Sequence, residues 1–191
     1  MSAVSIAEAW PSAGHPFTVE ELDRMPDDGH RYELLDGSLA VSPRPGTPHQ
    51  VVAGELFHVL RMACPAELRV VPEPAVQLSA DTEFAPDIVV VRADQIGGLK
   101  FTRPPLLVVE VRSPSTALID LNRKKSACER FGVPSYWIVV PDSAAPQLIA
   151  CELRDGCYTE AGQATGDATF AAARPFPVEV VPARLVAGLP T

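Results

Sequence analysis

The sequence predicts a mixed α/β fold, with a central mixed sheet flanked by helices and a hairpin toward each end. Three observations predict it. Three short runs are almost continuously apolar: Asp87-Ile-Val-Val-Val-Arg92, Leu106-Leu-Val-Val-Glu-Val-Arg112 and Tyr136-Trp-Ile-Val-Val140. That is the pattern of strands buried on both faces. Two stretches, 19–25 and 49–64, repeat apolar residues at helical spacing. Two Asp-Gly pairs, at 36–37 and 155–156, each separate two apolar-bearing runs, a strong short-range hairpin signal.

Residues 1–16 read as a loose N-terminal arm, broken by Pro11, Gly14 and Pro16, and residues 17–191 as a single domain. Thr18-Val-Glu-Glu21 is a capping box that opens a short helix ending before Pro26. Arg31–Leu35 and Ser38–Ser42 flank the first Asp-Gly turn and form the first hairpin. Pro43 to Pro48 is a rigid loop. From His49 to Cys64 apolar residues fall at 52, 56, 59, 60 and 63, an amphipathic helix stopped by Pro65. Short strands follow near 69–71 and 75–78. The runs 87–92 and 106–112 are joined by no convincing helix and should pair antiparallel. Ser113-Pro-Ser-Thr116 opens a helix that runs to about Phe131, where Gly132 suits the position that ends it. Strand 106–112, this helix and strand 136–140 make a crossover, so those two strands should be parallel and right-handed. The second hairpin pairs Gln147–Leu153 with Cys157–Glu160, and a final strand lies near Val178–Val181.

Composition excludes several classes. Of 191 residues, 47% are hydrophobic and 21% charged, which rules out wholesale disorder. No apolar run approaches the ~20 residues of a membrane span. The N-terminus lacks the basic and apolar regions of a secretory signal. None of the four cysteines stands in a Cys-x-x-Cys pair, so free thiols in the cytoplasm are the simplest reading. Cys151 and Cys157 are the one pair a hairpin could bring within bridging distance. A net charge of −8 argues against indiscriminate coating of nucleic acid. The charge is uneven: residues 1–91 carry 5 basic and 14 acidic side chains, residues 92–134 carry 8 basic and 4 acidic. The basic group at Arg112, Arg123, Lys124, Lys125 and Arg130 is either a solvated helix face or a local contact surface.

Two carboxylates lie in apolar strands. Asp87 precedes Ile-Val-Val-Val, and Glu110 sits inside Leu-Leu-Val-Val-Glu-Val. A buried charge is costly unless paired or metal-bound. Antiparallel pairing brings the start of one strand beside the end of the other, so the two acids should meet at one end of the sheet. Together they form a hard-oxygen site suited to Mg²⁺ or Mn²⁺; a turn acid and an acid paired with arginine are the structural alternative. Lys124 lies four residues after Asp120, which suits either a surface ion pair or an ammonium reaching back over the sheet end to a phosphate or a water. Lys125 points about 100° away. By pattern alone Glu33 is an exposed polar position in an alternating strand. His49, near a helix start, is an unspecialised residue or a ligand or base.

The motifs occur in a definite order: Tyr32-Glu-Leu-Leu-Asp-Gly37, Ser42-Pro43, His49-Gln50, Ala85-Pro-Asp87, Val109-Glu-Val-Arg-Ser-Pro-Ser-Thr116, Asp120 with Lys124, and Gly132-Val-Pro-Ser-Tyr-Trp137. This order, over roughly residues 17–160, resembles the Uma-type restriction endonuclease family, a branch of the PD-(D/E)xK nuclease superfamily. The resemblance implies a restriction-endonuclease-like core. It makes Asp87 and Glu110 the metal-binding acids, with the Val111 carbonyl beside them, and Mg²⁺ or Mn²⁺ the cofactor. In this branch the lysine has moved from the strand to the following helix, which selects Lys124. Glu33 matches the upstream acid and His49, expected on the cleft rim, the family histidine. Arg112 stands where the ancestral lysine stood, and Cys128 where the family usually has tyrosine.

The implied activity is metal-dependent hydrolysis of DNA phosphodiesters by a homodimer. The alternatives are a nuclease acting on RNA, and a catalytically silent or transposon-associated binding protein on the same fold.

Overall fold

A computed structural model of the chain describes residues 15–112 and 118–189, with the side chains of 118–120 excepted. Most of the arm, and the Ser113–Thr116 opening of the crossover helix, lie outside the described residues.

The first helix, α1 (Val19–Leu22), carries both halves of its capping box: Thr18 Oγ1 accepts from Glu21 N, and Glu21 accepts from Thr18 N. The first hairpin is β1 (His30–Leu35) and β2 (Ser38–Pro43), turning at Asp36 and Gly37, whose φ values are 51° and 69°. Helix α2 (Thr47–Ala63) begins two residues before the expected start, with Pro48 in its first turn, where a missing N–H costs nothing. Its buried stripe is His49, Val52, Leu56 and Leu60.

Strands β3 (Leu68–Pro72) and β4 (Val76–Ser79) follow, then β5 (Thr82–Phe84), β6 (Ile88–Arg92) and β7 (Leu107–Val111). After helix α3 (Leu118–Arg130) come β8 (Ser135–Val140), β9 (Gln147–Arg154), β10 (Cys157–Thr165), β11 (Phe170–Ala172), β12 (Val178–Val180) and α4 (Pro182–Leu185). The expected mixed sheet is present: six strands in the order β10-β9-β8-β7-β6-β3. β6 and β7 are antiparallel, β7 and β8 parallel. A second sheet has the order β2-β1-β5-β4.

The six-stranded sheet is covered on both faces, which is why β7 is buried at every position. Val52, Leu56 and Leu60 of α2 pack with Ile88, Val90, Leu107, Val109 and Trp137 on one face. On the other, Val89, Val91, Val108 and Tyr136 meet Ala127 and Cys128 of α3 and Leu35, Val76 and Phe84 of the smaller sheet. Alternation along each strand sorts residues to the two faces. Glu110 shares parity with Val108, and Asp87 with Val89, so both acids belong to the face under α3 and β1.

Several short elements were not expected from sequence, among them a 3₁₀ turn at Ala93–Gln95. β5 is three residues with a charged centre, and it exists because β1 and β4 pair with it from either side. β11 and α4 are similarly short. β10 runs past its expected end at Glu160 through a register shift before Gly162. That register sets Cys151 opposite Glu160 and Cys157 opposite Arg154, and all four cysteines are free thiols. No helix among the described residues is long and apolar enough to cross a membrane.

The Asp36-Gly37 turn anchors β1 beneath the site. Gly37 N donates to Asp81 O (2.8 Å), and Gly37 O accepts from Phe17 N (2.9 Å). A Cβ on Gly37 would stand 2.7 Å from Pro16 Cβ. Gly37→Ala therefore combines a left-handed backbone with a steric clash, and it should lower unfolding stability by about 1–3 kcal/mol, read as a drop in urea midpoint.

Candidate active site

The site forms where β1, β6, β7, α2 and α3 converge. The antiparallel register pairs Ile88 with Val109, and one step further sets Asp87 level with Glu110. Asp87 Oδ2 accepts a hydrogen bond from Val111 N at 2.7 Å, clamping the start of β6 to the end of β7. Asp87 and Glu110 are buried, at 3% and 4% exposure.

Lys124 comes to this end on α3. Its Nζ donates to Glu33 at 3.0 Å and lies 3.4 Å from Glu110 Oε1. It also sits 5.6 Å from the Phe84 ring centroid, a cation–π distance. With 4% exposure it is buried and does not lie on a solvated helix face. Burial alone would push its pKa down, but Glu110 and Glu33 outweigh burial and hold it above the ordinary value. Lys125 points elsewhere, as expected, 5.9 Å over the Tyr158 ring.

Glu33 is buried, which corrects the exposed position read from strand alternation alone. β1 lies against two layers: Leu34 packs with α1, while Leu35 packs under the six-stranded sheet. Glu33 shares the inner parity of Leu35. Its Oε1 accepts from Ala85 N (3.1 Å) and from Lys124.

His49 is also buried rather than on a rim. Its Nε2 is 2.9 Å from Val111 O and 3.2 Å from Asp87 Oδ2. Both neighbours are acceptors, so Nε2 carries a proton and donates. Burial lowers the His49 pKa, but the hydrogen bond and charge of Asp87 prevail and raise it.

Arg31 was missed. Its Nη2 is 3.1 Å from Glu33 Oε1, and its Nη1 is 3.8 Å from Asp87 Oδ1, so it ties the two acids together. The signal was present: Arg31, Glu33 and Leu35 share one face of an alternating strand. Arg112 is exposed and contributes its backbone N–H to Val139 O. Cys128 is buried in the core beneath α3, where burial raises its pKa beyond the physiological range.

Three carboxylates thus face two strong cations, and the odd charge falls on Glu110. Among the described residues its Oε1 has no aligned hydrogen-bond donor. Burial is the main cause that pushes its pKa up to about 7; Lys124 opposes this, while Asp87 and Glu33 add to it. These features fit a hard divalent cation: an under-satisfied carboxylate oxygen, a second buried acid and the Val111 carbonyl are all oxygen donors. Among the described residues no group of three or more His, Cys, Asp or Glu side chains is gathered for a metal. Mg²⁺ commonly needs only one or two carboxylates, with water and phosphate completing its shell.

The chain matches the model of the Uma2 family, described as "Putative restriction endonuclease", over residues 19–185. It belongs to the Uma2 family. Its fold is also that of a solved structure described as "a putative nuclease belonging to DUF820" from Anabaena variabilis, with a TM-score of 0.68 and 18% identity over 82% of this chain and 89% of that one. No curated protein matches the chain. The Uma2 assignment agrees with the motif order, and the solved neighbour agrees with the nuclease-like core. Glu33, Asp87, Glu110 and Lys124, the residues singled out from the sequence, all reach one end of the sheet.

Glu110 is expected to make the stability of this Uma2 protein depend on pH. Its folded pKa, about 7, exceeds its ordinary 4.5. Between those values the folded state binds more protons than the unfolded chain, so its contribution to stability is present at low pH and lost as pH rises through the window. The urea midpoint should fall between about pH 5 and about pH 8 by more in the wild type than in Glu110→Gln. Equal slopes in the two proteins would remove Glu110 as the cause.

Proposed function

We propose that this Uma2 protein is an endonuclease that hydrolyses DNA phosphodiester bonds with Mg²⁺ or Mn²⁺. One observation carries the reading: Glu110, Asp87, Glu33 and Lys124 are buried together at one sheet end, with Glu110 Oε1 left without an aligned donor. A binding module has no need to bury an unbalanced set of acids, which is costly without a compensating ion.

Asp87, Glu110 and the Val111 carbonyl would hold the cation. When bound, it lowers the pKa of a water and offsets charge building on the phosphate. His49 Nε2 donates to the Val111 carbonyl and stands 3.2 Å from Asp87 Oδ2, so it keeps the two groups side by side. Glu33 fixes Lys124 through a 3.0 Å hydrogen bond, so the ammonium stands in one place before substrate arrives. From there Lys124 orients the attacking water or neutralises a phosphoryl oxygen in the transition state. Preorganised charge of this kind, needing no rearrangement during reaction, is a large source of rate. Two copies of the chain would serve the two strands of a duplex, and symmetric dimers are the commonest assemblies. A cytoplasmic setting suits a DNA substrate and four free thiols.

Incubation with supercoiled DNA, single-stranded DNA and RNA across several divalent ions tests the activity. DNA nicking that requires Mg²⁺ or Mn²⁺ is expected; RNA cleavage alone would reassign the substrate. Asp87→Asn and Glu110→Gln should abolish both cleavage and any Mg²⁺-induced rise in melting temperature. Lys124→Met should keep the melting rise but lose roughly 10²–10³-fold in rate, the usual cost of removing one preorganised transition-state contact. Loss of the melting rise in Lys124→Met would place the lysine in metal binding instead. Light scattering should give a dimer mass, and a monomer at micromolar concentration would count against paired strand cleavage.

A further inference from the structure

Beside the buried acids lies a cavity of about 230 Å³ lined by Arg31, Arg44, Gln50, Glu73 and His30. We propose that it is a subsite for a DNA backbone phosphate flanking the one that is cut, with Arg31 and Arg44 as its cationic contacts. The proposal rests on the nuclease reading above and adds where the neighbouring part of the strand is held.

The cavity is joined to the acid site through its own walls. Arg31 belongs to both. Ala85 lines the cavity, and its N–H donates to Glu33. Glu73 lines it too, and its N–H donates to Asp87 O at 3.0 Å. At ~30 Å³ per water, the space holds roughly seven or eight waters, enough for a phosphodiester group with its sugar and far too little for a duplex.

Arg31 is under-satisfied. A guanidinium offers five N–H donors. Arg31 has two ion-pair contacts, at 3.1 and 3.8 Å, and among the described residues no aligned hydrogen bond; its Nε is buried with no acceptor, and its Nη2 meets the Glu33 carboxylate at 3.1 Å without hydrogen-bond alignment. An acceptor-rich anion is what such a fork lacks, and phosphate matches its geometry. Arg44 is 72% exposed, and its one ion pair among the described residues, to the 95% exposed Asp27, spans 3.7 Å, so it can turn to a ligand. Gln50 Nε2 donates to Glu73 Oε1 at 2.9 Å. Glu73 is the opposing group: its carboxylate disfavours an anion in the cavity and gives the proposal a signed test.

The test measures the affinity of a short fluorescein-labelled DNA duplex by anisotropy, with Ca²⁺ present, at several salt concentrations. Arg44→Ala should raise the Kd roughly threefold to tenfold and reduce the slope of log affinity on log salt by about one. Glu73→Gln should lower the Kd by at least ~2-fold. Arg154→Ala, the same charge change outside the cavity, should leave the Kd unchanged. Arg44→Ala and Glu73→Gln are the informative pair, because Arg31 also ties the acids together and its loss could disturb the fold. Wild-type affinity in both variants overturns the proposal, as does an Arg154→Ala effect equal to that of Arg44→Ala. Inorganic phosphate binding that is lost in Arg44→Ala while duplex affinity is not would assign the cavity to a free anion and overturn it as well. The two readings fail separately. The expected Kd pattern without cleavage under any divalent ion sinks the hydrolase and keeps the subsite. Cleavage with a Kd indifferent to Arg44 and Glu73 does the reverse.

Discussion

The contact of Lys124 with Glu33 and Glu110 is the constraint on which the rest of the site depends. It joins three separate parts of the chain: a hairpin strand of the smaller sheet, a central strand of the larger one, and the helix that follows it. A buried ammonium is tolerated only because two carboxylates surround it, and removing one partner from such a group costs about 3–5 kcal/mol. The four-stranded sheet cannot drift from the six-stranded sheet without breaking that contact. Glu33 transmits the same constraint to Asp87 through Arg31, and Asp87 clamps β6 to β7 through the Val111 N–H.

This arrangement explains how a strongly acidic chain can keep a compact acidic centre. Arg31 and Lys124 offset most of the negative charge, and the remainder is carried by Glu110, whose proton affinity is raised chiefly by burial and further by Asp87 and Glu33. A centre balanced in this way is stable yet short of one positive charge. Its residual demand is for a cation near Glu110. Arg31, already between two carboxylates, lacks aligned acceptors rather than negative charge. The proposed phosphoryl-transfer reading would meet both, with a divalent ion at Glu110 and phosphate oxygens as acceptors.

The two sheets also divide labour. The larger supplies rigidity: β6 and β7 are buried on both faces, and their end positions Asp87, Glu110 and Val111 inherit fixed places from the ladder. The smaller sheet supplies Glu33 and Arg31 from above, and α2 supplies His49 from the opposite layer. Residues on sheets and helices hold their geometry better than residues on loops. Arg44 and Glu73, in contrast, lie outside or at the end of regular elements, where adjustment to a ligand is easier.

Much of the frame was legible in the sequence because it depends on local rules. Unbroken apolar runs marked β6, β7 and β8, an Asp-Gly pair marked the β1–β2 and β9–β10 hairpins, and the strand–helix–strand unit dictated the parallel pairing of β7 with β8. The acid pair was legible too, since a charge inside an apolar strand must have a reason, and antiparallel pairing told where two such charges would meet. What local pattern could not decide was whatever depended on a second layer. Glu33 alternates like a solvent-facing residue, and only the other sheet lying over it buries it. Lys124 has the spacing of a surface ion pair, and only the tilt of α3 onto the sheet end turns it inward. Arg31 was invisible for the same reason, although its parity with Glu33 and Leu35 was there to be read. β5 has no local signature because its stability comes from the strands on either side. Sequence determines periodicity, and periodicity assigns each residue a face; which face is buried, and against which charge, is settled only when distant segments pack together.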